Sequence, residues 1–259
     1  MDQQQLIETP FDYTITGRPA FSVLNLSLQP NQKVLADAGA MFWMDSTVDV
    51  ETNCPQGCKG GCARSCVGES CCMNTFGGPR QGNISLGFKA PGDMLPFTVT
   101  PGNGWILSQK AFVAGTDKYD PFIVCLSCRH LLTTRVASCI VSAGFPGLCA
   151  CGLAGEGMFL VKVTTQDMKS PAVFFAGGYG EIIRHDIPEG KELMVENGLF
   201  FAAHESTRFR IGILGGLGTF CFGGEGFVMR FRGPAAVFTQ SRDPRLFGAR
   251  PDQLDSAQA

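Results

Sequence analysis

The sequence predicts an all-β protein built from three internal repeats, with Cys-rich loop insertions. Two observations favour this fold class: short strand-like segments bounded by turn residues, and two sequence patterns that recur three times in the same order. A third observation is compositional. The 259 residues include 33 Gly, 15 Pro and 21 Phe, which is typical of many tight turns around strands that are buried on both faces.

Four segments give the clearest strand signal. They are rich in Val, Ile, Phe and Thr, alternate or run apolar, and are bounded by Gly, Pro, Asn or Asp. No window of twelve or more residues outside the Cys-rich segments shows the 3.6-residue apolar period of a helix. The four predicted strands are Phe21–Leu28, Thr47–Thr52, Met158–Val163 and Phe227–Phe231.

The internal repeats follow from two anchors. A Gly-Glu pair before an apolar run occurs as VGESCCMNTF, AGEGMFLVKV and GGEGFVMRFR. Upstream of each pair lies a Pro, a turn and two apolar steps, as LQPNQKVLADAGAMFWM, VTPGNGWILSQKAFVAG and IPEGKELMVENGLFFAA. We therefore predict one triplicated β domain over residues 10–242, with repeats at about 10–86, 87–170 and 171–242, and a polar tail of low order at 243–259. Three copies predict a pseudo-threefold arrangement around a shared core, as a sandwich, barrel or prism.

Charge and targeting signals limit the function classes. Only 17% of residues are charged and the net charge is −2, which argues against a nucleic-acid partner because such surfaces are normally basic. The N-terminal residues show neither a secretory signal nor a basic, acid-poor mitochondrial presequence. We expect an intracellular protein, cytoplasmic or peripheral to a membrane, whose cysteines are mostly thiols. Val136–Gly155 is uncharged, but its Gly and Pro residues favour an apolar loop or interfacial segment over a membrane span.

Several motifs carry a family resemblance. PGDMLPF (Pro91–Phe97), AGAMFWM (Ala38–Met44), AGEG (Ala154–Gly157) and the third-repeat segment Leu217–Arg242 resemble the mitochondrial-biogenesis family named for altered inheritance of mitochondria. The resemblance implies the fold of the tryptophan RNA-binding attenuation protein, as a short double-stranded β-helix or prism. It implies no known enzymatic activity, and for eukaryotic members a role in mitochondrial membrane organisation. A fold similar to that of an RNA-binding protein does not by itself imply that this protein binds RNA. Lys110 departs from the pattern, because the family usually has Gly there.

Eleven of the twelve cysteines fall in two loops that occupy the same place in the first and second repeats, around or before the Gly-Glu pair. Threefold symmetry would bring these loops to one end of the molecule, which would be Cys-rich, Gly-rich and almost uncharged. The eleven are Cys54, Cys58, Cys62, Cys66, Cys71, Cys72, Cys125, Cys128, Cys139, Cys149 and Cys151.

Four interpretations of these cysteines stay open. They pack loop against loop as small apolar groups, they are S-acylated on a membrane-facing surface, they bind zinc, or they form disulfides in an oxidising compartment. The zinc hypothesis rests on Cys125-x2-Cys128, which has zinc-ligand spacing, with Cys149 and Cys151 to complete four thiolates.

The remaining candidates are weaker. Glu69, Glu156 and Glu225 are equivalent in the three repeats, and we interpret them as turn acids rather than as an acidic ring. Arg230, Arg232 and Arg242 are interpreted either as a basic patch or as solvated strand ends. No nucleophile elbow or dinucleotide fingerprint occurs. We therefore predict a non-enzymatic scaffold or peripheral membrane adaptor that needs no cofactor, with a thiolate zinc-binding module as the alternative. The sequence does not identify the protein partners, and it leaves open whether the protein is a monomer or an oligomer.

Overall fold

The protein is all-β. The computed structural model describes residues 10–53, 70, 72–117, 119–125, 159–165, 172–213 and 227–243. Within those ranges the regular elements are nineteen strands and one short 3-10 helix at Asn197–Leu199. The strands are β1 (Asp12–Thr16), β2 (Val23–Leu28), β3 (Lys33–Asp37), β4 (Met41–Met44), β5 (Asp49–Asn53), β6 (Met73–Gly77), β7 (Gly82–Gly87), β8 (Gly92–Val99), β9 (Trp105–Ser108), β10 (Phe112–Thr116), β11 (Tyr119–Cys125), β12 (Phe159–Thr165), β13 (Ala172–Tyr179), β14 (Ile182–Ile187), β15 (Glu192–Glu196), β16 (Phe200–His204), β17 (Phe209–Ile213), β18 (Phe227–Arg232) and β19 (Ala235–Gln240).

The strands form four antiparallel sheets. The N-terminal sheet has the order β1-β2-β7-β4, and the C-terminal sheet has the order β15-β18-β17. Between them lie two six-stranded sheets, the first central sheet (β5-β6-β3-β10-β13-β8) and the second central sheet (β11-β12-β9-β16-β19-β14). The four strands predicted from sequence are confirmed, as β2, β5, β12 and β18.

The strand order recurs along the chain. After β1, the strands fall into three sets of six: β2–β7, β8–β13 and β14–β19. Each central sheet joins the fourth, fifth and second strands of one set to the third, sixth and first strands of the next. A register shift also recurs in the third strand of each set, at Met41/Trp43, Phe112/Ala114 and Phe200/Ala202. The two end sheets are therefore halves of the same six-stranded unit, with β1 added to one of them.

Three apolar clusters hold the sheets together in a stack. The first packs the N-terminal sheet on the first central sheet, the second packs the two central sheets together, and the third packs the second central sheet on the C-terminal sheet. The middle strands of the central sheets are consequently buried on both faces, whereas the edge strand β5 is exposed throughout. β13 shows this most fully, since seven of its eight residues, AVFFAGG, are buried. This double burial accounts for the phenylalanine content, because a strand with two apolar faces reads as a continuous apolar run.

Candidate functional site

Most of the predicted cysteine and glutamate sites lie outside the described residues. Of the eleven candidate cysteines, Cys72 is a half-buried free thiol immediately before β6. Cys125 is the last residue of β11, and its Cα pairs with Phe159. Among the described residues no group of three or more His, Cys, Asp or Glu side chains is arranged to hold a metal ion. The other nine cysteines, and Glu69, Glu156 and Glu225, fall outside the described ranges.

The described residues do present a strongly basic surface on the C-terminal sheet. In β18 the side chains of Met229 and Phe231 enter the third apolar cluster, so Arg230 and Arg232 point to the other face. In β17 Phe209 and Ile211 pack inward in the same way, and Arg210 points outward. The outward arginines, with Arg208 just before β17, are all exposed. We call this surface the arginine face: Arg208, Arg210, Arg230 and Arg232.

The strand register places these arginines side by side. Arg210 and Arg230 are direct cross-strand partners. The backbone N–H of Arg232 donates to the carbonyl oxygen of Arg208 at 3.4 Å, so the second pair is also adjacent. Like charges directly opposite one another on a sheet are destabilising. The sheet therefore tolerates two repulsive pairs.

No carboxylate in the described part of the chain neutralises the arginine face. Glu192 is the Cα partner of Arg232, but the two side chains form no ion pair. The described ion pairs lie elsewhere, as Arg18–Asp93, Lys33–Glu51, Lys89–Asp37, Lys162–Glu205 and Arg184–Asp186. In a chain with a net charge of −2, this concentration of unpaired positive charge is a local feature suited to an anionic partner.

The equivalent position in the second central sheet is neutralised. Lys162 on β12 occupies the place of Arg230 on β18, and its Nζ lies 2.7 Å from Glu205 Oε2. Partial burial raises the pKa of Glu205, but a hydrogen bond from the Gly104 N–H and the Lys162 ammonium outweigh that effect. The net result is a pKa below its usual value of 4.5. The matching position in the first central sheet is the uncharged Thr75. Paired arginines are thus specific to the third set of strands.

The PGDMLPF motif has a structural role. A side chain at Gly92 would place its Cβ 1.8 Å from the Gly178 carbonyl oxygen, so no other residue fits there. Asp93, which is 2% exposed, accepts hydrogen bonds from Arg18 Nε at 2.7 Å and Arg18 Nη2 at 2.9 Å. It also accepts from Ser22 Oγ at 3.0 Å. The motif therefore fastens the turn between β1 and β2 to the start of β8.

The end of the third-repeat motif is also structural. The buried Gln240 donates from Nε2 to the Gly198 carbonyl at 2.8 Å and accepts from the Tyr179 N–H at 3.1 Å. The Ser241 hydroxyl accepts from the Glu181 N–H at 2.9 Å. Arg242, predicted to belong to a basic patch, follows β19 and donates to the Ser241 carbonyl. These residues connect neighbouring strands.

The other polar groups of the described residues do not form a well-enclosed binding pocket. A shallow hollow of about 250 Å³ on the first central sheet is lined by Lys33, Asp49, Glu51 and Thr75, and it lacks the apolar walls typical of a small-molecule pocket. His185 Nε2 lies 2.9 Å from Thr239 Oγ1. His204 Nδ1 likewise lies 2.7 Å from Ser206 Oγ.

Comparison with known proteins assigns the chain to a family. Residues 13–242 match the model of the mitochondrial biogenesis AIM24 family. The chain belongs to this family. AIM24 membership suggests a role related to mitochondrial biogenesis, with no known enzymatic activity, and a mitochondrial association. In the described residues, no helix is both long enough and apolar enough to cross a membrane.

A solved structure has a similar fold. Protein SPYM3_0169 from Streptococcus pyogenes superposes with a TM-score of 0.66 at 17% identity, over 92% of this chain and 96% of that one. At this identity the likeness concerns the fold alone. No curated protein matches the chain.

The sequence contained part of the signal for the arginine face. Arg230 and Arg232 alternate with apolar residues in GGEGFVMRFR, which marks them as one face of a strand. Arg208 and Arg210 carry the same alternation in TRFRIGI, but the sequence alone does not show that the two strands are neighbours. The register between β17 and β18 supplies that information.

Proposed function

We propose that this AIM24-family protein is a non-enzymatic peripheral adaptor that binds anionic membrane surfaces through the arginine face. The observation that carries the proposal is the set of four exposed arginines on one sheet face without a carboxylate partner among the described residues. The mitochondrial-biogenesis role of the family is consistent with a membrane-organising adaptor.

The chemistry of the face suits lipid headgroups. A guanidinium group donates two parallel hydrogen bonds to one phosphate, and it is less strongly hydrated than an ammonium group. A basic residue near an anionic leaflet contributes about 1 kcal/mol of binding free energy. A sheet face presents its four arginines together, so a planar anionic surface can contact them at the same time and relieve the repulsion between them.

The neighbouring sequence adds apolar character. β17 and β18 are connected by residues 214–226, LGGLGTFCFGGEG, which contain one charged residue, Glu225. A basic surface beside an apolar segment is a combination typical of proteins that lie on membranes. S-acylation of the cysteines in the Cys-rich loops of the first and second repeats would add a second anchor, and this part of the proposal rests on sequence alone.

Vesicle co-sedimentation tests the proposal. We expect the protein to sediment with vesicles that contain phosphatidylserine, and to remain in solution with vesicles of phosphatidylcholine alone. Arg210→Glu combined with Arg230→Glu should weaken binding by at least about tenfold, because the loss of two contacts is about 2 kcal/mol. Raising the salt concentration should weaken wild-type binding in the same direction.

A matched control separates the face from net charge. Arg80→Glu combined with Arg242→Glu makes the same change in net charge at two exposed arginines outside the face. Equal loss of binding in both double variants would show that only the overall charge matters. Unchanged binding after Arg210→Glu and Arg230→Glu would refute the role of the arginine face.

Two further elements of the proposal come from sequence and family resemblance. A pseudo-threefold prism or short double-stranded β-helix like the tryptophan RNA-binding attenuation protein stays a prediction, as does the zinc alternative at Cys125, Cys128, Cys149 and Cys151. Elemental analysis of the purified protein tests the zinc site. Stoichiometric zinc that is lost on Cys125→Ser would establish it, and a metal-free protein would remove it.

A further inference from the structure

The two end sheets have complementary free edges. The N-terminal sheet ends in β4, the third strand of its set, and the C-terminal sheet ends in β15, the second strand of its set. In both central sheets the second strand of one set is joined to the third strand of the next, as β3 to β10 and β9 to β16. The pairing that would continue this series is β15 to β4, and neither strand has such a partner in the described part of the chain.

The residues of β4 are exposed, although the equivalent residues of the other two sets are buried. The third strands of the other two sets begin with Phe112–Ala114 and Phe200–Ala202, and all six of these residues are at most 5% exposed. The corresponding residues of β4, Met41, Phe42 and Trp43, are 40%, 57% and 50% exposed. An exposed run of this kind on a free sheet edge is a template for pairing with another chain.

β15 contributes the matching edge. Leu193 and Val195 point into the third apolar cluster, as Val34 and Ala36 of β3 point into the first. Met194, between them, is 52% exposed. Four of the seven exposed large apolar residues in the described ranges therefore lie on these two edges, as Met41, Phe42, Trp43 and Met194.

We propose that β15 of one copy pairs antiparallel with β4 of a second copy of this chain. The pairing completes a six-stranded sheet of the order found in the centre, extended by β1. Two of the described sheets lie between the two edges of one chain, so a second copy supplies the partner. The interface is heterologous, because it joins two different edges, and each subunit keeps one free edge for the next copy.

The in-chain joints fix the expected register. Ala36 pairs with Ala114 in the first joint, and Leu107 pairs with Ala202 in the second. The burial pattern places Val195 in the position of Ala36, and the recurring register shift places Trp43 in the position of Ala114. Val195 of one copy should therefore lie opposite Trp43 of the next, with Met194 opposite Met44.

Complementary edge variants test this geometry. Wild-type protein should have a mass greater than one chain by light scattering, and Trp43→Asp and Met194→Asp should each reduce it to a monomer. Mixing the two variants should restore a 1:1 dimer and nothing larger, because one copy retains β15 and the other retains β4. An Ile183→Asp variant, at a 41% exposed residue on the free edge of the second central sheet, should leave the wild-type mass unchanged.

A photocrosslinker checks the register directly. Benzoylphenylalanine at position 43, in a mixture of isotopically light and heavy protein, should form mixed crosslinks to residues 192–196. A monomeric wild-type protein at every concentration would overturn the proposal, as would mixed variants that stay monomeric although circular dichroism shows them folded. Crosslinks from position 43 to β4 of the other copy would replace it with a symmetric dimer. None of these readouts involves vesicles, so the assembly and the membrane proposal fail independently.

Discussion

The central sheets and the end sheets are made of the same unit, yet they differ in what covers them. A central sheet contains strands from two successive sets and is packed on both faces, whereas an end sheet contains one half of the unit and is packed on one face. Middle strands such as β13 and β16 are accordingly almost wholly apolar and buried, and the ends carry the arginine face and the apolar edge of β4. Covered positions in this molecule provide stability, and uncovered positions are where we propose that partners bind.

The largest loss of stability is expected when a buried aromatic ring is removed from the first central sheet. Phe174 on β13 is fully buried and stacks on Phe97 and Phe112, with ring centroids 5.2 and 6.2 Å apart. Phe174→Ala should reduce the free energy of unfolding by about 4 kcal/mol, because it leaves a cavity in a packed core. Phe42→Ala at the N-terminal edge should change the monomer's stability by less than about 1 kcal/mol. Equal losses in chemical denaturation would contradict the contrast between centre and edge.

The junction between the N-terminal sheet and the first central sheet depends on Asp93. Asp93→Ala leaves the Arg18 guanidinium and the Ser22 hydroxyl without their shared acceptor. We expect a loss of about 3 kcal/mol, at the lower end for a broken buried pair because Arg18 is 33% exposed. Urea denaturation measures it. Arg18→Ala combined with Asp93→Ala should lose less than the sum of the two single variants, and strict additivity would show that the pair is not coupled.

The sequence predicts features that depend on residues close together in the chain, and it does not predict contacts between distant strands. The strand segments and their turns are local, so alternation and Gly placement predicted β2, β5, β12 and β18. The pairing of β3 with β10 and of β9 with β16 joins strands that are distant along the chain, and no local pattern specifies it. For the same reason the sequence alone does not place Arg210 beside Arg230, nor does it show the surroundings of Trp43. Its sequence neighbours resemble those of Ala114, and only the sheet order shows that its edge is free.

The neutralised lysine sharpens the comparison with the arginine face. The pKa of Glu205 is lowered in the folded protein, so its contribution to stability is present above pH 4.5 and is lost as the pH falls through the lowered value. Glu205→Gln should reduce stability at neutral pH by about 1 kcal/mol and should flatten the loss of stability below pH 4.5. Thermal unfolding followed across this pH range is the measurement. A Glu192→Gln variant, next to the arginine face, should change stability at neutral pH by less than about 0.5 kcal/mol, since Glu192 forms no ion pair.

The smallest expected effect concerns a turn that occurs both before the edge strand β4 and before the central strand β10. Gly39 precedes β4 with a φ of +81°, and Lys110 precedes β10 with a φ of +61°. A residue with a Cβ in this left-handed region costs about 1–2 kcal/mol, whereas glycine loses about 0.4–1 kcal/mol through the entropy of the unfolded chain. Lys110→Gly should therefore be more stable than Lys110→Ala by about 0.5 kcal/mol. Both variants lack the lysine side chain and its contacts, so the difference in Tm between them isolates the backbone. A higher Tm for Lys110→Ala than for Lys110→Gly would contradict the prediction. It would show that the turn before β10 accommodates a Cβ without strain.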